Sequence, residues 1–272
     1  MDTHSSAELK IDHIVVLVND LQASIADYSS LGFTVMQGGE HADGVSHNAL
    51  IAFEDGAYLE LIAFRRPAPE RHLFAVGAGR GEGFIAYALL PANIEATLSG
   101  ARFRGLDISG PFPGGRVRPD GVQVKWQTGT ASTPDLPFLC ADVTPRERRV
   151  PSGGAQQHGN GITGVLGITV VVNNIEASTE RYYALLGREP LPDFGMPATE
   201  ERIAAFQLDT ATITLIQPER GPLRDYLEAR GEGPYSAVLC ASTDLVAGYL
   251  NLAATHSARF EVVHELARNQ GS

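Results

Sequence analysis

The sequence predicts an α+β fold of four tandem βαβββ modules, paired into two curved-sheet half-barrel domains, with the last module incomplete. Three observations predict it. A short phrase occurs four times, as Asn19-Asp20-Leu21-Gln22-Ala23-Ser24, Ala92-Asn93-Ile94-Glu95-Ala96-Thr97, Asn173-Asn174-Ile175-Glu176-Ala177-Ser178 and Thr243-Asp244-Leu245-Val246-Ala247-Gly248. Each copy follows a β-like apolar run and opens a stretch of helical character, so one strand-cap-helix unit has been copied along the chain. Further apolar runs separated by turn residues follow the helical stretches.

In the first module, Ile11 to Val18 is a nearly continuous β-branched run, as expected for a strand covered on both faces. Asp20 suits the N-cap, Ile25, Tyr28 and Leu31 recur at helical spacing, and Gly32 suits the stop. Phe33 to Met36 reads as the next strand, followed by a Gly-rich turn region. Ala49 to Phe53 and Tyr58 to Phe64 are then joined across Glu54-Asp55-Gly56, where Asp-Gly signals a hairpin. The second module starts at Phe84 to Leu90 and continues, after its helix, through Gln123 to Gln127 and Phe138 to Val143. The third runs from Val165 to Val172 through a helix near Ala177 to Leu186 to strands Ile203 to Leu208 and Thr212 to Ile216. The fourth begins at Ser236 to Ala241, and after its helix only Phe260 to Val263 reads as a strand. Pro145 to Gly164, rich in Pro, Gly, Arg and Gln, is the linker. With the boundary near Gly159, residues 1–158 form the N-terminal domain and 159–272 the C-terminal one.

With 43% hydrophobic and 19% charged residues, the 272-residue chain has ordinary globular composition and enough length for two cores. A formal charge of −11 disfavours nucleic acid and anionic membranes as partners and favours small molecules or proteins. No apolar run is long enough to span a bilayer and the first ten residues are polar, so a cytoplasmic location is expected. Cys140 and Cys240 form neither a metal-ligand spacing nor a disulfide framework and read as packed, reduced thiols.

Two βαβββ units side by side give a curved sheet around a cleft suited to a small ligand. This arrangement, with Ile11-Asp12-His13-Ile14-Val15-Val16-Leu17-Val18, Ser46-His47-Asn48-Ala49-Leu50 and Tyr58-Leu59-Glu60-Leu61-Ile62, resembles the glyoxalase-like proteins of the vicinal oxygen chelate superfamily. Arg118-Pro119-Asp120-Gly121-Val122 and Pro137-Phe138-Leu139 resemble that group's second module. The resemblance implies that the first and last strands of a module line the cleft and supply metal ligands, which are the positions of His13 and Glu60. It also implies a cation that holds two vicinal oxygens of a substrate and stabilises an enolate-like anion.

The residues themselves point to the same place. His13 and Glu60 lie in otherwise apolar strands, and a carboxylate removed from water costs several kcal/mol unless a cation, a metal or hydrogen bonds compensate it. A constant offset of 154 aligns the hairpins of modules one and three, and places Gly167, Glu201 and Thr214 where module one has His13, His47 and Glu60. Aligning the helix-opening phrases puts Ala86 and Ala237 at the His13 position. Only the N-terminal cleft is therefore equipped. His47 precedes the strand that should pair with the Glu60 strand, as a third ligand or an acid/base group. His13, His47 and Glu60 as metal ligands, with His47 and Glu60 catalytic, would suit Fe, Zn, Ni or Mn.

From the second module only Cys140 and Asp142 stand near the cleft strands, so fewer than four protein ligands are visible. His158 falls in the linker, Arg65 and Arg66 end the Glu60 strand, Arg146-Glu147-Arg148-Arg149 reads as a solvated charge run, and Gly77 to Gly83 reads as a connector rather than a phosphate loop. The leading reading is a metal-dependent lyase or isomerase of a small oxygen-rich substrate. The alternatives are a non-heme Fe(II) dioxygenase using the same His/His/Glu set and a metal-free binding or sequestering protein. The C-terminal pair is left a structural or homodimer-forming role.

Overall fold

The computed structural model describes residues 9–69, 72–192, 201–242 and 248–264. The first module comprises β1 (Leu9–Leu17), α1 (Leu21–Ser30), β2 (Met36–His41), β3 (Ser46–Ala52) and β4 (Tyr58–Phe64). A short α2 (Ala75–Ala78) leads into the second: β5 (Gly83–Pro91), α3 (Ile94–Phe103), β6 (Ile108–Val117), β7 (Gln123–Ala131) and β8 (Phe138–Asp142). After α4 (Arg146–Arg149), the third comprises β9 (Ile162–Val171), α5 (Ile175–Leu186), β10 (Glu201–Gln207) and β11 (Thr212–Pro218). Then come α6 (Pro222–Arg230), β12 (Gly233–Ala241), β13 (Gly248–Tyr249) and β14 (Arg259–His264).

The repeated phrase does what its chemistry suggests. Asp20 accepts from the amides of Gln22 and Ala23, Asn93 from Ala96 and Asn174 from Ala177, each satisfying donors that a helix start leaves free. Replacing such a cap by Ala typically costs about 1 kcal/mol. The fourth copy lies, except for Gly248, outside the described residues. Beyond it the chain makes β13, a series of turns and β14, and no helix occurs among the described residues that follow β12.

The eight N-terminal strands close into a barrel in the order β1-β4-β3-β2-β6-β7-β8-β5, rather than stopping at a half-barrel. An eight-stranded barrel is wide enough to hold side chains or one small ligand. The seams are unequal. β1 and β5 pair along their length, whereas β2 and β6 meet only at Glu40↔Val117 and His41↔Arg116. The other strands form an open sheet, β10-β11-β9-β12-β14-β13. One apolar core, including Val16, Leu59, Leu89, Tyr182, Leu215 and Phe260, runs through both sheets and their helices. Arg104 donates to the carbonyl of Ala184, and the Tyr87 and Tyr182 hydroxyls are 2.5 Å apart, so the two halves also share buried polar contacts.

Besides the short β13, two strands of the barrel differ from the sequence reading. β2 lies at Met36–His41 instead of Phe33 to Met36, so it contains the glycines that read as a turn. β6 was not anticipated, because Gly110, Pro111, Pro113, Gly114 and Gly115 punctuate it. The reason lies inside the barrel. A Cβ on Gly38 would collide with the Asn48 and Arg116 side chains, and one on Gly114 with the Trp126 indole. These glycines make room for polar and aromatic side chains at the cavity wall.

Candidate functional site

A bulge in β1 builds the site. Ile11 pairs with Leu89 and His13 with Ala88, so Asp12 is the extra residue, and both Asp12 and His13 are buried. Asp12 Oδ2 lies 2.7 Å from His13 Nδ1. The other face of that carboxylate meets Arg149, whose Nη1 and Nη2 bond its two oxygens at 2.7 and 2.9 Å, and Arg146 Nη1 at 2.7 Å. Arg149 also bonds both oxygens of Asp142 and the Tyr58 hydroxyl. Burial opposes ionisation of Asp12, but the Arg149 charge and the His13 bond outweigh it and hold its carboxyl well below the usual range. Arg149 is 2% exposed, which corrects its reading as part of a solvated run. Its counterions are Asp142 on β8, seven residues before it, and Asp12 on β1, 137 residues before it.

Glu60 faces the same interior from β4. His13 Nε2 stands 3.4 Å from its Oε2, His41 Nε2 3.3 Å from its Oε1, and Asn48 Nδ2 donates to Oε1 at 2.6 Å. Burial would raise the Glu60 pKa, but hydrogen bonds with the two histidines prevail and keep it well below the ordinary value. Burial would likewise lower the pKa of His13, yet its bonds to Asp12 and Glu60 raise it. The His13 ring stacks on Tyr58, centroids 4.6 Å apart, and meets the edge of Phe138 at 5.3 Å. His41 Nδ1 is held by the Ser46 hydroxyl at 2.8 Å. Above these groups opens a cavity of about 330 Å³, walled in part by Leu50, Phe74, Arg116, Trp126 and Phe138.

The structure thus brings His13 and Glu60 together but not His47. Glu60 pairs with Leu50 across the hairpin, and side chains of one parity share a face, so Asn48 and Ser46 point inward with Glu60 while His47 points outward. His47 lines a separate surface depression with Glu40 and Arg65. His41 on β2 and Asn48 on β3 stand beside Glu60, where the sequence predicts His47. His158 bridges the amide of Thr34 and the carbonyl of Ala52 and is architectural. Arg65 pairs with Glu40 at the surface.

A second grouping, Asp12, His13 and Cys140, has donor atoms within 4.8 Å of one another. It suits an ion poorly. Both Asp12 oxygens are occupied by arginines, and burial pushes the Cys140 thiol far up, away from the thiolate a metal needs. The set around Glu60 fits better, because each imidazole has its Nδ1 engaged and its Nε2 turned to the carboxylate, the orientation that outer-shell partners impose on ligating histidines. The His–Glu distances of 3.4 and 3.3 Å bring both nitrogens close enough to the carboxylate that the three side chains would be able to share one ion. The second module adds no donor at the matching places. Val15 pairs with Glu60 and, one module later, Ala88 with Phe138, so Phe138 occupies the counterpart of Glu60 and Ala86 that of His13.

A sequence profile of the glyoxalase-like domain matches residues 11–186, more than half of the chain. No curated protein matches the sequence. Among solved structures, a hypothetical protein from Staphylococcus aureus superposes with a TM-score of 0.74 at 14% identity, covering 94% of this chain and 100% of that one. A mutant of 4-hydroxymandelate synthase from Streptomyces coelicolor gives 0.67 at 14% identity, covering 95% and 93%. A xylose isomerase-like TIM barrel/4-hydroxyphenylpyruvate dioxygenase fusion protein gives 0.62 at 13%, covering 98% of this chain and 50% of that one. At such identities the likeness is one of fold.

Proposed function

The chain belongs to the glyoxalase-like family of the vicinal oxygen chelate superfamily, and from that premise we propose that its N-terminal barrel is a metal-dependent lyase or isomerase site in which His13, His41 and Glu60 hold a divalent ion. The observation that carries this reading is the pair of imidazole Nε2 atoms turned on one buried, ionised carboxylate. When bound, such an ion acts as a Lewis acid toward two vicinal oxygens of a small substrate and stabilises enolate-like charge. The chain's own residues prepare the rest. Asp12 fixes the His13 ring, with Nδ1 donating to its carboxylate, and Asn48 orients Glu60 by donating to Oε1. Glu60 Oε2 is the base that takes a substrate proton, and His13, fixed by Asp12, holds that carboxylate in place from 3.4 Å. Tyr58 and Phe138 wall His13 and keep water from it.

Metal analysis of the purified protein tests this reading. One equivalent is expected in the wild type and in His47→Ala, and a loss of most of it in His13→Ala, His41→Ala and Glu60→Gln. A wild type that takes up no Fe, Zn, Ni or Mn on reloading would sink it. One observation favours a second reading, a metal-free binding site: the Glu60 oxygens are already satisfied by protein donors, and each imidazole addresses a different oxygen. A stable, metal-free protein that binds ligand would carry that reading. Oxygen uptake during turnover would instead favour a dioxygenase.

A further inference from the structure

The cavity holds a buried cation without a counterion. Arg116 is 4% exposed and lines the cavity wall, yet its guanidinium bonds only the Asn48 side-chain carbonyl at 3.3 Å and the backbone carbonyl of Arg149 at 2.5 Å. Among the described residues it makes no ion pair. The two other arginines at this end of the barrel are neutralised, because Arg146 and Arg149 both meet Asp12 and Asp142. Glu60, the remaining carboxylate of the interior, makes no direct ion pair with Arg116: it acts on it at longer range, with Asn48 bridging the two, and its charge is already shared by His13 and His41. Buried charges are costly unless paired, so an unpaired guanidinium facing an empty space marks the place of an anion.

We propose that Arg116 anchors the carboxylate of the cavity's ligand, and that the ligand class is a small organic carboxylate with a flat apolar body. The inference rests on this cavity being the functional site, as in the preceding reading, but not on a metal. A guanidinium matches a carboxylate in shape and charge, and charge-assisted bonds of this kind are among the strong ones. The flat apolar body follows from the rest of the lining, where Phe74, Trp126 and Phe138 present aromatic surface. A volume of about 330 Å³ limits the ligand to a small molecule. The glycines at 38 and 114 leave the space in which Arg116 and Trp126 sit, so the wall is shaped around these two side chains. Burial lowers the pKa of Arg116 and outweighs the nearby Tyr58 and Glu60, which raise it, so its charge is only partly compensated.

Trp126 is the single tryptophan of the chain, so its fluorescence reports on this cavity alone. Titration of chelator-treated protein with phenylacetate and with its neutral isostere phenylacetamide tests the proposal. Phenylacetate is expected to bind about tenfold or more tightly than the amide. Arg116→Met is expected to abolish that preference and Arg116→Lys to retain part of it. Equal affinities in the wild type, an undiminished preference in Arg116→Met, or no response to phenylacetate at millimolar concentration would each overturn it. Should Arg116→Met fail to fold, the wild-type pair and Arg116→Lys still decide. Metal uptake on reloading, measured on the same preparations, separates the two proposals: an acid preference in protein that never takes up metal sinks the metal reading alone, whereas metal-binding protein without the preference sinks this one alone.

Discussion

The N-terminal barrel and the C-terminal sheet are built from the same module, and their strands keep the same register. Val15 pairs with Glu60 in the barrel, and Thr169 pairs with Thr214 in the sheet. Even the bulge is retained. In β9, Gly167 pairs with Val238 and Val165 with Leu239, so Leu166 is the extra residue, as Asp12 is in β1. The content differs completely. Where the barrel has Asp12 and His13 the sheet has Leu166 and Gly167, and where it has Glu60 the sheet has Thr214. Among the described residues, every fully buried Asp, Glu, Arg or His precedes Val150. A β-bulge at this place in the first strand is thus shared by modules one and three, whereas the polar residues placed on it belong to one copy. The N-terminal copies close, and the closed interior supplies the low dielectric in which unpaired charge becomes costly and therefore informative.

The largest effect is expected where the barrel's buried charges interlock. Arg149→Met would leave Asp12 and Asp142 short of their main partner, and breaking a buried pair from one side costs about 3–5 kcal/mol. A large drop in the urea midpoint is expected. Arg202→Met, which removes the surface pair with Glu176 in the open sheet, should leave the midpoint unchanged. Similar losses in the two variants would remove the electrostatic distinction between the halves.

Acid titration sharpens the same contrast. The Asp12 carboxyl has a folded pKa well below its ordinary value, so it contributes stability that is complete above about pH 4 and is lost as pH falls through the folded value. The wild type should therefore lose stability more steeply below that pH than Asp12→Asn, which lacks this titration. Parallel acid slopes would show that the Asp12 network does not stabilise the fold.

Gly114→Ala comes next. The added methyl would meet the Trp126 ring, and overpacking of this kind typically costs about 1–3 kcal/mol. Because Trp126 is the single tryptophan, its emission should shift at the same time. Gly121→Ala gives the contrast, since a Cβ there meets open space but the residue sits at φ +83°. It should cost stability through backbone strain while leaving the emission unchanged. An unchanged emission in Gly114→Ala would mean that this wall is not packed around the indole.

These glycines also mark the limit of what the sequence discloses. The caps Asp20, Asn93 and Asn174 and the Asp55-Gly56 hairpin were legible because their signals are local. His13 and Glu60 stood out because a polar group in an apolar strand needs an explanation. β2 and β6 were hidden because Gly and Pro ordinarily punctuate turns, and here they clear space across a barrel wall. The burial of Arg149 is hidden in the sequence for a related reason. Four charged residues in a row look solvated until Asp12, 137 positions away, is seen to meet one of them. His41 carried no local signal, since its neighbours Glu60 and Asn48 come from other strands.

His47 is different, because its orientation follows from counting outward from the Asp55-Gly56 turn, and it gives the smallest expected effect. The pairing of Glu60 with Leu50 assigns residues 46, 48 and 50 to the interior and residue 47 to the outer face. His47→Ala should therefore change stability by no more than about 0.5 kcal/mol, as surface substitutions usually do, and leave the Trp126 response to phenylacetate intact. His41→Ala, one strand away but on the inner face, removes a hydrogen-bond partner of a fully buried carboxylate and should weaken both. Were the two alanine variants to behave alike, the inner and outer faces of the β2–β3 ribbon would not be the division that matters, and the site would have to be rebuilt around His47.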